Sequence, residues 1–333
     1  MTRPGTVRVA AIDCGTNSLR LLIADVDRRT GRLSDVDRRM EIVRLGQGVD
    51  ATGRLAPEAL ARTFGVLRDY ASEIESAAAS RVRMVATSAT RDAENAGEFV
   101  GGVSRILDVA PEVLSGDEEA SLSYTGATAE LAMAERPPGA PPRGAPPPGP
   151  PPPYLVADIG GGSTEFAAGR DGPDAAQLAA ALSVDIGCVR LTERHLHSDP
   201  PLASEVSAAT ADIDAALDMV AAKVPVTAAR TLIGLAGSVT TVAAIALGLA
   251  VYDPGKTHHA TINADKVGQV TRDLLGKTRE QRAEIPVIHP GRVDVIGAGA
   301  LELYRIMTRF GFGEVVVSEH DILDGIAWSL VTG

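Results

Sequence analysis

Two stretches of this chain repeat one plan, and no other feature limits its fold so tightly. In the first, an apolar run at 7–12 ends on Asp13-Cys14-Gly15-Thr16-Asn17-Ser18, and a second apolar run at 19–26 follows at once. In the second, 154–157 ends on Asp158-Ile159-Gly160-Gly161-Gly162-Ser163-Thr164, and 165–168 follows. Short apolar runs bounded by turn residues read as strands. Connections this short hold no crossover helix, so each pair is expected to be a hairpin. Each half continues with a third strand, at 39–45 and 179–186. A helix follows at 57–76 and again at 203–222, with apolar residues at helical spacing, and then a buried-type strand at 82–87 and 231–236. An α/β unit present twice predicts two like domains with a ligand cleft between them. Residues 1–127 with 319–333 are the expected first domain and 128–318 the second. The closing region is expected to be helical at 263–275, 293–310 and 321–330, with a strand at 315–318 and a proline-bearing loop at 285–290.

The length of 333 residues agrees with two domains at about 150 residues each. The apolar share of 45% supplies a core and argues against disorder. A formal net charge of −11 disfavours a basic nucleic-acid face, and an aromatic share of 3% disfavours base-stacking platforms. No nucleic-acid partner is therefore expected. The two cysteines, Cys14 and Cys188, make no disulfide framework and fit a reducing compartment; both read as small packing residues. The N-terminal apolar run is too short for a signal peptide. The longest apolar stretch, 239–251, falls short of the roughly 18 residues of a membrane span. A cytoplasmic protein without a membrane partner is the expectation. Residues 137–153 hold 11 of the 21 prolines, a composition that cannot donate a backbone ladder and reads as an insert within the second domain.

The loops carry the chemistry. Gly15 permits the tight first turn, and Thr16, Asn17 and Ser18 set hydroxyl and amide groups beside exposed N–H groups, a nest that suits phosphate. The second loop has three consecutive glycines, Gly160, Gly161 and Gly162, which let backbone approach a ligand closely. Asp158 stands where a carboxylate can hold a hydrated divalent cation, and Glu165 can face the same space from the next strand. The third loop, 234–241, places Gly237 and Ser238 at a helix start, where free N–H groups attract anions; Ser238 acting only as a helix cap is the plainer alternative. His258-His259 and His320-Asp321 invite a metal reading. Adjacent histidines on a strand would point to opposite faces, however, so no metal is assigned to them.

These loops arrive in the order of the actin, sugar-kinase and heat-shock ATPase superfamily. The full strings narrow the resemblance. Ile12-Asp-Cys-Gly-Thr-Asn-Ser-Leu-Arg20, Thr87-Ser-Ala-Thr-Arg-Asp-Ala-Glu-Asn95, Leu114-Ser-Gly-Asp-Glu-Glu-Ala120 and Asp158-Ile-Gly-Gly-Gly-Ser-Thr-Glu165 resemble the exopolyphosphatase and guanosine pentaphosphate phosphohydrolase (Ppx/GppA) family. Gly187-Cys-Val-Arg190, residues 234–241 and Ser318-Glu-His-Asp-Ile-Leu-Asp-Gly325 fit it too. The resemblance spans nearly the whole chain apart from the proline insert. It implies two duplicated actin-like, RNase H-like domains. It also implies a hydrolase releasing terminal phosphate from inorganic polyphosphate, or converting guanosine pentaphosphate (pppGpp) to the tetraphosphate. Glu118 matches the carboxylate that orients or deprotonates the attacking water, and Arg91 the arginine that clamps phosphate. Asp158 matches the cation ligand and Glu165 a second essential carboxylate. Asn17, Ser18 and Gly160 to Ser163 match the phosphate cradle. Asp13, Asp158 and Glu165 are the candidate ligands for Mg2+ or another divalent cation such as Mn2+. The expected partners are the substrate and a second copy of the chain, as a homodimer.

Two other functions fit the same fold class. A small-molecule kinase would need a nucleoside pocket. A non-catalytic polyphosphate or nucleotide sensor would be expected to lack the carboxylates, and Glu118, Asp158 and Glu165 are all in place.

Overall fold

The computed structural model describes residues 5–134, 150–170 and 177–332, and the repeated hairpins are both present. Residues 137–149 of the proline insert lie outside the described residues. The chain divides into two units, Met1–Gly126 with Ile322–Gly333, and Ala127–Asp321.

The first unit begins with β1 (Thr6–Cys14), β2 (Ser18–Asp27) and β3 (Leu33–Ile42). After α1 (Val49–Thr52) come α2 (Pro57–Ser76), β4 (Arg81–Ala86), α3 (Ser88–Arg91) and α4 (Ala96–Leu107). Strand β5 (Glu112–Val113) leads into α5 (Gly116–Ala134), within which the two units divide. The sheet order is β3-β2-β1-β4-β5. β1 pairs antiparallel with β2 and parallel with β4, so α2 is the helix of the crossover. It turns Leu60, Leu67, Tyr70 and Ile74 inward along one stripe. The buried Tyr70 hydroxyl donates to the Leu19 carbonyl at 3.0 Å, which satisfies its one polar atom. At Gly102 on α4 an added Cβ would lie 2.1 Å from the Phe64 ring of α2, so the helices approach through that residue.

The second unit repeats the order. β6 (Tyr154–Ile159), β7 (Thr164–Gly169) and β8 (Leu178–Val184) form the antiparallel meander. Helices α6 (Cys188–His195) and α7 (Ala203–Lys223) lead to β9 (Thr231–Leu235) and α8 (Ala236–Ala246). Then come α9 (Pro254–Thr257), β10 (Thr261–Asn263), α10 (Ala264–Leu275), α11 (Arg279–Ala283), α12 (Ile296–Phe310) and β11 (Glu314–Val317). Helix α13 (Ile322–Thr332) returns to the first unit. The sheet runs β10-β11-β9-β6-β7-β8. Three meandering strands and two parallel ones thus occur in each unit, with β10 added at one edge: two copies of an actin-like, RNase H-like α/β domain. Each unit has its own apolar core.

Strand and helix positions match expectation closely, with two differences. β3 spans Leu33–Ile42, six residues ahead of the expected start. Its sequence is charged because it is an edge strand exposed along most of its length, so apolar content misplaced it. His258 and His259 are not on a strand: they follow α9, and His259 adopts φ 60. Their rings stack at 3.8 Å between centroids, with His320 at 4.7 Å from His258. The His258 Nδ1 accepts the Glu319 N–H at 3.1 Å. No group of three or more His, Cys, Asp or Glu able to hold a metal occurs among the described residues. Nor is any helix among them long and apolar enough to cross a membrane.

Candidate active site

The two glycine hairpins are built alike. Gly15 N–H donates to the Ser18 carbonyl at 3.0 Å, and Gly160 N–H to the Ser163 carbonyl at 3.1 Å. In each, the segment after the third strand ties the loop carbonyls back. In the first unit the N–H groups of Val43 and Arg44 donate to the Asn17 carbonyl, and that of Gly46 to Thr16. In the second, the start of α6 does this: Cys188 N–H bonds the Gly160 carbonyl at 3.0 Å, and Val189 and Arg190 bond Gly161 at 2.9 and 3.0 Å. The Arg190 Nε adds a bond to the Gly162 carbonyl at 2.5 Å.

This anchoring decides where the donors point. In a trans peptide the C=O and the next N–H point in opposite directions. With the carbonyls of Gly160, Gly161 and Gly162 held toward α6, the N–H groups of Gly161, Gly162 and Ser163 point away from it. Three successive N–H groups on one side make a nest for an anion. Glycine is required sterically: a Cβ on Gly160 would lie 2.7 Å from the Ser163 carbonyl oxygen, and one on Gly187 2.8 Å from the Gly161 backbone.

The carboxylates flank this loop. Asp158 and Glu165 are direct cross-strand partners in the β6–β7 register, so their side chains share one face of the sheet. Both are buried, at 6% and 2% exposure. The Ser183 hydroxyl, from the strand beyond, donates to Glu165 Oε1 at 2.7 Å. Like charges directly opposite each other in a sheet repel, and a shared cation relieves that cost. An all-oxygen set of two carboxylates fits a hydrated Mg2+ or Mn2+, which is commonly held by one or two carboxylates, waters and substrate phosphate. It does not fit zinc, which takes three or four protein ligands rich in His and Cys.

Asp13, the third expected cation ligand, is otherwise engaged. It is 3% exposed and opposite Arg20 in the β1–β2 register. Arg20 Nη2 and Nε approach its Oδ2 at 2.6 and 3.0 Å. A guanidinium already neutralises this carboxylate, so a cation there would have to displace it. Around it, Thr16 Oγ1 meets Ser88 Oγ at 2.8 Å, which joins the first hairpin to α3. Asn17 and Ser18 stay half-buried at the loop surface, as a phosphate cradle requires.

Arg91 closes α3. Its Nη1 bonds Glu119 Oε2 at 3.2 Å and the Leu114 carbonyl at 3.1 Å. Glu119 is 7% exposed, whereas Glu118 is exposed. Glu118 Oε2 accepts the Ser115 N–H at 3.0 Å and the Ser115 hydroxyl at 2.8 Å, and Ser115 Oγ faces the Glu118 N–H in return. This is a helix capping box. The Ser115 backbone and hydroxyl bonds hold the Glu118 carboxyl below the usual glutamate range. Glu118 is thus committed to starting α5, and Glu119 is the carboxylate beside Arg91. The Ser-x-x-Glu spacing of 115–118 was the available signal, since it is a capping signature.

At the third loop Gly237 makes room for a guanidinium. An added Cβ would lie 2.1 Å from Arg292 Cζ, and Arg292 Nη1 reaches the Gly237 carbonyl at 3.4 Å. The start of α8 therefore carries a cation that no local pattern announced; Arg292 ends a 3-10 turn, Pro290–Arg292. Ser238 is buried, with its hydroxyl packed over Gly299 of α12 beside Cys188. Burial drives the Cys188 thiol up to about 11 and the Cys14 thiol well above its ordinary value. Neither is a poised nucleophile. Behind the glycine loop lies a carboxyl that sequence reading passed over. Glu302 of α12 is fully buried, and Thr164 Oγ1 donates to its Oε1 at 2.5 Å.

Comparisons with known proteins place the chain in a family. The chain is 49% identical over 334 residues to Exopolyphosphatase 2 of Mycobacterium tuberculosis strain H37Rv, spanning 97% of this chain and 98% of that protein. The solved structure of an exopolyphosphatase-like protein is 42% identical with a TM-score of 0.88, covering 98% of each chain. That of a Ppx/GppA family member from Aquifex aeolicus is 29% identical with a TM-score of 0.74, covering 97% of each. A model of the Ppx/GppA phosphatase family matches residues 22–138 and 150–332, taking in the glycine-loop, arginine and carboxylate motifs from Arg91 onward. On that match and this duplicated fold, the chain belongs to the Ppx/GppA phosphatase family.

Proposed function

We propose that this protein is an exopolyphosphatase, releasing orthophosphate from the end of inorganic polyphosphate by attack of water on the terminal phosphoryl group. One observation carries the reading: a glycine loop with three successive N–H groups turned outward beside two buried, directly opposed carboxylates. The near-full-length likeness to an exopolyphosphatase supports the substrate class. Gly161, Gly162 and Ser163 receive the phosphate oxygens. Asp158 and Glu165 hold a divalent cation, Mg2+ or Mn2+, which when bound neutralises phosphate charge. Arg91 clamps phosphate in fork geometry and offsets the charge that develops in transfer. Glu119 orients the attacking water and takes its proton; its burial beside Arg91 supports it over the capping residue Glu118. Guanosine pentaphosphate presents a like terminal phosphate and is a second substrate of the same chemistry. A homodimer in a cytoplasmic setting completes the reading.

The test is phosphate release from polyphosphate and from pentaphosphate, with Mg2+ and with EDTA. Release from polyphosphate that stops in EDTA and returns with Mg2+ is expected. Activity undiminished in EDTA would refute the cation role of Asp158 and Glu165. Absence of release from both substrates, with transfer from ATP to a small molecule instead, would establish the kinase.

A further inference from the structure

The Glu302 carboxyl lies outside every role assigned above, yet it sits under the glycine loop. It is 0% exposed, on the seventh residue of α12. Its Oε1 meets Thr164 Oγ1 at 2.5 Å, while its Oε2 is buried without a hydrogen-bond partner among the described residues. Burying a carboxyl with one oxygen unsatisfied opposes folding, and an apolar side chain of similar size would serve packing better. What this carboxyl gains is a hold on one residue.

That residue stands at a junction. Thr164 opens β7, directly after the loop residue Ser163 and directly before Glu165. Side chains alternate along a strand, so Thr164 and Glu165 point to opposite faces. Ser183 fixes Glu165 on one face, and Glu302 fixes Thr164 on the other. The same region of α12 packs against the loop's supports: Gly299, three residues earlier, touches Ser238 and Cys188. The start of β7 is thereby gripped from both sides at the point that sets Glu165 opposite Asp158.

We propose that Glu302 is a positioning residue: through Thr164 it holds the start of β7 so that Glu165 and Asp158 present one divalent-cation site. This rests on the cation reading given under the proposed function. Groups behind first ligands commonly alter metal affinity by about 10–100-fold.

The experiment compares wild type with Glu302→Met, Glu302→Gln and Thr164→Val. Mn2+ affinity is measured on metal-free protein by electron paramagnetic resonance, beside the melting temperature without metal and kcat and KM on polyphosphate. Glu302→Met is expected to weaken Mn2+ binding about tenfold and to lower kcat more than it raises KM. Its metal-free melting temperature is expected to be no lower than wild type. Glu302→Gln keeps an acceptor for Thr164 and should recover most of the Mn2+ affinity. Thr164→Val should reproduce the loss, and the double variant should add little to it. Wild-type Mn2+ affinity in Glu302→Met would overturn the proposal. So would a loss that Gln does not recover and that tracks a lower melting temperature, or failure of wild type to bind Mn2+. If wild type binds Mn2+ but releases no phosphate, the hydrolase reading fails while the order of Mn2+ affinities still decides the role of Glu302.

Discussion

Two adjacent glutamates give the sharpest test of the site. Glu119 is 7% exposed and bonded to Arg91 at 3.2 Å, while Glu118 is exposed and spends its carboxylate on the Ser115 cap. Glu119→Gln preserves the shape and leaves an amide oxygen for Arg91, but it removes the proposed base. General-base catalysis contributes about 10²–10⁴ in rate, which corresponds to about 3–5 kcal/mol of barrier. The stability cost is much smaller. Arg91 keeps an uncharged acceptor and its side chain is 25% exposed, so about 1 kcal/mol is lost. At the size of these units that lowers the melting temperature by about 2–4 °C. Glu118→Gln keeps an acceptor for the Ser115 N–H and leaves Arg91 untouched, so kcat stays near wild type. The assay is initial phosphate release from polyphosphate at saturating Mg2+, with a melting curve for each variant. A hundredfold loss in Glu118→Gln, with Glu119→Gln active, would refute the reasoning and return the base to Glu118.

Further consequences follow from the loop and from the buried carboxyl. Gly160→Ala places a Cβ 2.7 Å from the Ser163 carbonyl, so the hairpin must open. Phosphate release should fall at least about tenfold, since misplacing a positioning loop by an ångström can cost more than that. Gly65→Ala on α2, where a Cβ meets nothing within 4 Å, should instead stabilise the helix by up to about 1 kcal/mol and leave activity alone. Burial raises the Glu302 carboxyl from its ordinary 4.5 to about 8. Between those values the folded chain keeps a proton that the unfolded chain releases, so stability falls as pH rises through that window. The melting temperature of wild type should therefore decline relative to Glu302→Gln from about pH 5 to about pH 8, and the difference should stop growing above that. A pH-independent difference would show that Glu302 does not titrate in the fold.

Local order was open to reading because local physics sets it. The hairpins followed from short connections, the long helices from periodicity, and the duplication from two like strings; the β6–β7 register then followed from the loop length, bringing Asp158 and Glu165 side by side. The start of strand β3 was misplaced because an edge strand is exposed along most of its length and has no apolar pattern to mark it. The rest depended on partners distant in the chain. Arg292 reaches Gly237 from 55 residues away, and Glu302 reaches Thr164 from 138 residues away. The Ser-x-x-Glu spacing marks Glu118 as a cap, but nothing local names Glu119 as the partner of Arg91. That choice is made by the phase of α5, which turns one carboxylate to the solvent-facing cap and the next, about 100° around the helix, inward to the guanidinium. The sequence by itself thus determined which residue types the loops carry and how the strands pair. Only the tertiary structure decided which charges neutralise one another, because a side chain's partner is set by where packing brings distant elements together.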